Sequence, residues 1–194
     1  MKRLLLILFF LTYAFASQAQ VIEWVKKQEN YIEQSTTVIA ASDSTVLSAG
    51  ARDGAVNGFI LLQNRDKNGN IRWIKKFRSP DVLTYPYSNF ANFIGLDSLE
   101  NIYVAGTFQD ALLMDQDTLL TRSGAHHFLL KLSKAGSVLW ARVLPELKGA
   151  DVDAFGNTYI TGSFKGTINI ANQTLTTTSA QVPEMYTAKI NPNG

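Results

Sequence analysis

Two histidines, scattered carboxylates and no cysteine limit the chemistry open to this chain. His126 and His127 are adjacent, and neighbours on a strand point to opposite faces, which suits them poorly to sharing a metal. They fall where a loop passes into a strand and read as loop or edge residues. Without a thiol, cysteine nucleophiles and cysteine-based zinc sites are excluded. Asp110, Asp115 and Asp117 crowd together in "DALLMDQDT", and calcium takes several oxygen ligands. A matching stretch, "GTINIANQT", has Gly166, Ala171 and Gln173 at those positions, so the pattern itself requires no metal. "DKNGN" (66–70) starts like a calcium loop but lacks the spacing and the distal Glu, and it sits where a hairpin turn is wanted. Asp151 and Asp153 share a strand face, as an acid and a base would. Asp153, however, opens an Asp-x-x-Gly-Asn turn in which its carboxylate bonds backbone N–H groups. No Gly-x-Ser-x-Gly elbow and no Gly-rich phosphate loop is present. The expected catalytic, cofactor-binding and metal residues are none.

The residues that recur belong to a repeat. "DSLENIYVAGTF" (97–108) matches "DAFGNTYITGSF" (153–164) at an offset of 56, pairing Asp97/Asp153, Asn101/Asn157, Tyr103/Tyr159, Gly106/Gly162 and Phe108/Phe164. Thr118/Thr174 and Leu119/Leu175 keep the same offset. After a two-residue slip, "FLLKLSKAG" (128–136) aligns with "YTAKINPNG" (186–194). A degenerate first copy, "DSTVLSAG" (43–50), ends on Gly50, again 56 residues before Gly106. Phe59 follows Gly50 by nine residues, against 22 from Gly106 to Phe128, so the first copy lacks a long hairpin that the others keep.

Each copy reads as about four short strands. In the second these are "FIGLD", "NIYVAGTF", "ALLMD…TLLT" and "FLLKLS", with "VLWARVL" closing the unit. The alternation in Ile102-Tyr103-Val104 and in Phe128 to Leu132 fits strands with one or both faces covered. Asp-Gly, Asn-Gly, Gly-Asn and Asn-Pro pairs punctuate them. Only 25–34 leaves room for a turn or two of helix. A four-stranded sheet cannot cover both its faces alone, so such units are expected to stack as propeller blades around an axis. Tyr103, Tyr159, Phe108 and Phe164 would wedge between blades. Trp recurs in "VIEWVKKQ" (21–28), "GNIRWIKKF" (69–77) and "GSVLWARVL" (136–144), as a packing device used once per blade; an exposed aromatic platform is the competing explanation.

The signature Asp-x-x-Gly-Asn-x-Tyr-Val/Ile-x-Gly-x-Phe, then Phe-x-x-Lys-Leu/Ile-x-x-x-Gly-x-x-x-Trp, resembles the bacterial secreted β-propeller repeat family. The resemblance covers residues 36–194. The third copy fits best; the second has Glu100 for the turn Gly, and the first lacks the Asn and the Tyr. It implies an all-β fold, a partial β-propeller of about three four-stranded antiparallel blades with a degenerate first blade. The expected organisation is a signal peptide at 1–19 and repeats over 20–194: an orphan closing strand and linker (21–35), a short first repeat (36–78), a second (90–145) and a truncated third (149–194). Gly194 stands where the earlier copies continue for three residues to a Trp, so the chain reads as a fragment of a longer propeller; the alternatives are a small open array or a propeller assembled from several copies of the chain. By resemblance only, export follows the type IX route.

The opening "MKRLLLILFFLTYAFASQAQ" has a basic start, an apolar run of 13 residues (4–16) and small residues before cleavage points after Ala16 or Ala19. That run is shorter than the roughly 20 residues of a membrane span. Without Lys2 and Arg3 the 18 basic residues fall level with the 16 acidic ones, which leaves no footprint for nucleic acid. The expected product is extracellular, surface-bound or periplasmic, with no stable membrane insertion after cleavage. Its expected role is a non-enzymatic binding or display scaffold for a protein or glycan ligand, with no cofactor. An exposed blade face invites self-association. The alternatives are the propeller part of a secreted carbohydrate-active enzyme and a structural spacer in a large surface protein.

Overall fold

β-Branched and aromatic residues in short runs, each closed by a turn residue, leave the chain little option but strands. The structure, a computed structural model, describes residues 23–26, 34–43, 45–51, 59–79, 89–114, 117–170, 173–179 and 181–194. The leader, the stretch 27–33 and Asp115 lie outside the described residues. Thirteen strands make up the regular structure among those residues, with no helix. They are β1 (Gln34–Ala40), β2 (Val46–Ala51), β3 (Phe59–Arg65), β4 (Ile71–Arg78), β5 (Phe90–Leu96), β6 (Ile102–Met114), β7 (Asp117–Leu132), β8 (Val138–Leu144), β9 (Gly149–Val152), β10 (Thr158–Phe164), β11 (Thr167–Ile170), β12 (Gln173–Thr176) and β13 (Glu184–Ile190).

Antiparallel ladders join β1 to β4 into one meander and β5 to β8 into a second. β9, β10 and β13 form a third, with β13 and β9 flanking β10. The first two meanders fuse where Phe77 and Arg78 of β4 pair with Met114 and Leu113 of β6, giving an eight-stranded sheet that curls through half a barrel. Residues 111–114 and 118–121 extend β6 and β7 instead of forming strands of their own. A bulge at Gln109/Ala111 bends the ribbon without breaking it: Asp110 takes a left-handed φ of 58° and its Oδ1 accepts the Gly124 N–H at 2.7 Å. In the third meander the matching kink is Gly166 (φ 77°), and β11–β12 becomes a separate two-stranded hairpin.

Period-two alternation sends the apolar side chains of the second meander both ways. Ile102, Val104, Leu130 and Leu132 join Leu47, Ile60, Leu62 and Phe77 in one core. Ala105, Leu129 and Leu144 join Ile160, Phe164 and Tyr186 in another. Strands buried on both faces read as short apolar runs, as residues 102–105 of β6 and 128–130 of β7 do. Gly106 and Gly162 recur because the backbone at or just before the first strand of their own meander leaves no room there. An added Cβ would lie 1.8 Å from the carbonyl oxygen of Phe90 or of Glu146.

The short turns share one construction. Asp97 Oδ1 accepts from the N–H groups of Leu99 (3.0 Å) and Asn101 (2.9 Å), and its Oδ2 accepts from Asn101 Nδ2 at 2.8 Å. Asp153 makes the same three bonds with Phe155 and Asn157. Asp66 does so with Asn68 and Asn70, so "DKNGN" is a turn whose carboxylate is already occupied. Glu100 takes the left-handed φ (59°) that Gly156 supplies in the third meander. An ion pair with Lys134 and bonds from Ser42 hold it there.

The tryptophans lock each unit to the next. Trp24 lies against Gly69, Trp73 against Gly136 and Trp140 against Gly194, three glycines that all have positive φ. Trp24 donates to the Lys67 carbonyl (2.9 Å) and Trp140 to that of Pro192 (3.0 Å), each two residues before its glycine. Tyr103 is fully buried and donates to the Gly156 carbonyl of the next turn at 3.1 Å, beneath the Lys131 ammonium. Burial first, then the Asp97 carboxylate, pushes its phenol well above the usual range.

Candidate functional site

In an antiparallel meander the first and third connections lie at one end and the second at the other. The Asp turns and the Trp contacts therefore occupy one end of the molecule. The long hairpins, residues 110–124 and 166–177, occupy the opposite one. Each leans back towards the last strand of the preceding meander. The first is zipped to β4 by its two-residue ladder. The second has no such ladder to β8, and a cleft of about 450 Å³ opens between them.

Arg122, His126 and His127 from β7, Val143 and Leu144 at the end of β8, Pro145 and Glu146 after it, and Thr167 to Asn169 of the second hairpin line this cleft. His127 pairs in register with Thr107 and Leu144, and its Nδ1 is buried without a hydrogen-bond partner. Burial holds its pKa below 6.5, so the ring is neutral near pH 7. His126 turns towards Phe108, with ring centroids 6.1 Å apart, and its Nε2 meets the Ser123 carbonyl at 2.8 Å. Glu146 is engaged: Lys148 approaches Oε1 at 2.5 Å and Ser163 donates to Oε2 at 3.0 Å. Those two partners, Lys148 first, keep its carboxyl below the ordinary range. Its carbonyl accepts from the Tyr186 hydroxyl (2.9 Å), whose pKa is pushed up to about 12, mainly by burial. Among the described residues, an imidazole, a guanidinium and the Asn169 amide line the cleft beside the apolar side chains of Val143, Leu144 and Ile168. That combination suits holding a polar ligand by its donors and acceptors.

The histidines, read from the sequence as junction residues, lie within the continuous strand β7, because the bulge at Asp110 lets the ladder run on past Gly124. Asp110 is used in that bulge, and its Gly124 partner is the leading cause of its lowered pKa. Asp117 is at the hairpin tip, four ladder steps away or about 13 Å. Among the described residues no group of three His, Cys, Asp or Glu is placed to hold a metal. Asp151 accepts from the N–H of Val152, and Asp153 is consumed by its turn, so the two do not act as a pair. Sequence reasoning missed Arg122, Glu146 and Asn169 as neighbours of His127. They come from three strands and connections with no shared motif, and only the lean of the hairpins unites them. No protein-family model matches the chain, and no curated protein matches it.

Proposed function

We propose that this chain is an exported, non-enzymatic repeat protein: a partial β-propeller of about three blades that serves as a binding or display scaffold outside the cell or on its surface. The resemblance to the secreted β-propeller repeat family stands as part of this reading. One observation carries it. The recurring residues are spent on turns and joints, whereas the segments that differ between copies, 110–124 and 166–177, border the cleft that holds Arg122 and an unpartnered His127. A scaffold is built in this way, with a constant frame and variable connections. Glu146 is paired to Lys148 and Ser163, which favours holding a ligand over acid–base catalysis on it.

The test replaces residues 167–176 by a two-residue link and compares both proteins on arrays of glycans and of isolated surface proteins. The reading expects a ligand retained by the parent and lost by the variant, with a melting temperature nearly unchanged. Retention that survives the deletion puts recognition elsewhere. No retention by the parent on either array leaves the chain a spacer.

A further inference from the structure

We infer that the cleft takes an extended, acidic peptide, laid as a third strand along the free edge of β11 with a carboxylate on Arg122. This rests on the reading of the cleft as the binding site and adds the class of its ligand.

The joint between the first two meanders supplies the template. There the gap between the last strand of one meander and the hairpin of the next is closed by the chain itself, through the pairs Phe77–Met114 and Arg78–Leu113. Aligning Trp140 with Trp73 puts Leu144 and Pro145 at the places of Phe77 and Arg78. The repeat offset of 56 puts Asn169 and Ile170 at those of Leu113 and Met114. Proline has no N–H to give a ladder and is confined to strand ends, edges and bulges. Pro145 therefore stops β8 from repeating the closure, and the gap stays open as the cleft.

Both walls of the gap are strand edges. Among the described residues β8 pairs with β7 alone, and β11 with β12 alone. β12 is exposed along its whole length. A two-stranded ribbon is marginal by itself and gains from a third strand. An arriving strand brings main-chain bonds to such an edge, and its alternate side chains find the pockets beside it.

The lining selects the sequence of that strand. Val143, Leu144 and Ile168 offer an aliphatic wall. Glu146 is held by Lys148 and Ser163, whereas Arg122 has no partner among the described residues. Asn169 Oδ1 accepts the Thr174 hydroxyl at 2.7 Å, which leaves the amide NH2 to donate. A guanidinium and an amide donor with no opposing charge fit a carboxylate. No ring other than the two imidazoles lines the cleft. Sugars are commonly gripped by stacking on aromatic faces, so the lining favours a peptide over a glycan.

The test selects a phage library of random short peptides on the full-length parent. The peptides retained are expected to share one Asp or Glu among aliphatic residues. They should bind Arg122→Gln at least about tenfold more weakly than the parent. Changing the shared acid to its amide should weaken binding to the parent by the same factor and leave binding to Arg122→Gln unaltered. Methylating alternate backbone nitrogens should abolish binding, because it removes the ladder bonds. Peptides without an acid, peptides indifferent to Arg122→Gln, or peptides that tolerate methylation at every position would overturn the inference; the cleft would still be the site if they are lost on replacing residues 167–176. Peptides still held after that replacement would overturn both readings. A library that yields no binder overturns the peptide ligand, and a glycan retained by the parent but lost with the hairpin would then keep the cleft alone.

Discussion

Tyr103 and Tyr159 occupy the same place in two meanders and live in different surroundings. Both donate to the turn Asp six residues earlier, and both lie under a cross-strand Lys. Around Tyr103 the next meander closes the site. Gly156 accepts its hydroxyl, Lys131 donates to the Pro192 carbonyl at 3.1 Å, and Asp97 faces Lys131 at 3.7 Å with both side chains nearly inaccessible. Around Tyr159 nothing equivalent covers the set among the described residues. The same cassette is thus buried in a joint in the first case and exposed in the second. The joint between the first two meanders solves the same problem with charge, through Asp43, Arg72, Lys134 and Glu100. Arg72 and Lys134 are exposed, Asp43 is partly so and Glu100 is largely covered, so these pairs are worth less than a fully buried set.

The largest effect should come from Asp97→Ala, which strands Lys131 in a buried site and costs about 3–5 kcal/mol. Asp153→Ala, in the exposed copy, should cost clearly less. Chemical denaturation of the two variants measures the gap, and equal losses would show that the turn, not the joint, is what matters. Tyr103→Ala should lose about 3–5 kcal/mol by the cavity it leaves, while Tyr159→Ala should stay within about 1 kcal/mol. A large loss at Tyr159 would mean that its face is covered in solution.

Glycines sharpen the same contrast. Gly166→Ala meets open space and bears only the strain of its positive φ, about 1–2 kcal/mol. Gly156→Ala adds a Cβ 2.5 Å from the Tyr103 hydroxyl and should melt at a lower temperature than Gly166→Ala. Smallest is a pH effect at the cleft. The pKa of His127 is lowered in the folded chain, so the unfolded chain takes up the proton first as pH falls past about 6.5. Stability then declines from there down to the folded pKa, and no further on this account. His127→Gln should flatten the melting temperature over that window.

Much of the frame was legible because its causes are local. An Asp that binds the N–H groups two and four residues on leaves a short motif, and so does a Gly under a crossing carbonyl, as at Gly106 and Gly162. Trp24, Trp73 and Trp140 could be read as packing residues from recurrence alone, though not the glycines they cover. What stayed hidden depends on distant chain. The fusion of residues 111–114 into β6 needs the Asp110–Gly124 bond, and the ladder from β4 to β6 needs a hairpin to reach the previous meander. The cleft appears only because the second hairpin forms no such ladder.

The division of the molecule into two ends has a consequence for what it can carry. At the end of the Asp turns, one inserted residue would pull Asn101 or Asn157 off its carboxylate. At the other end, connector length enters mainly through loop closure, which costs only about 0.6 kcal/mol for each doubling. The step from Gly50 to Phe59 is already less than half that from Gly106 to Phe128. Foreign peptides grafted into the latter connection would therefore ride on a frame that hardly registers their presence.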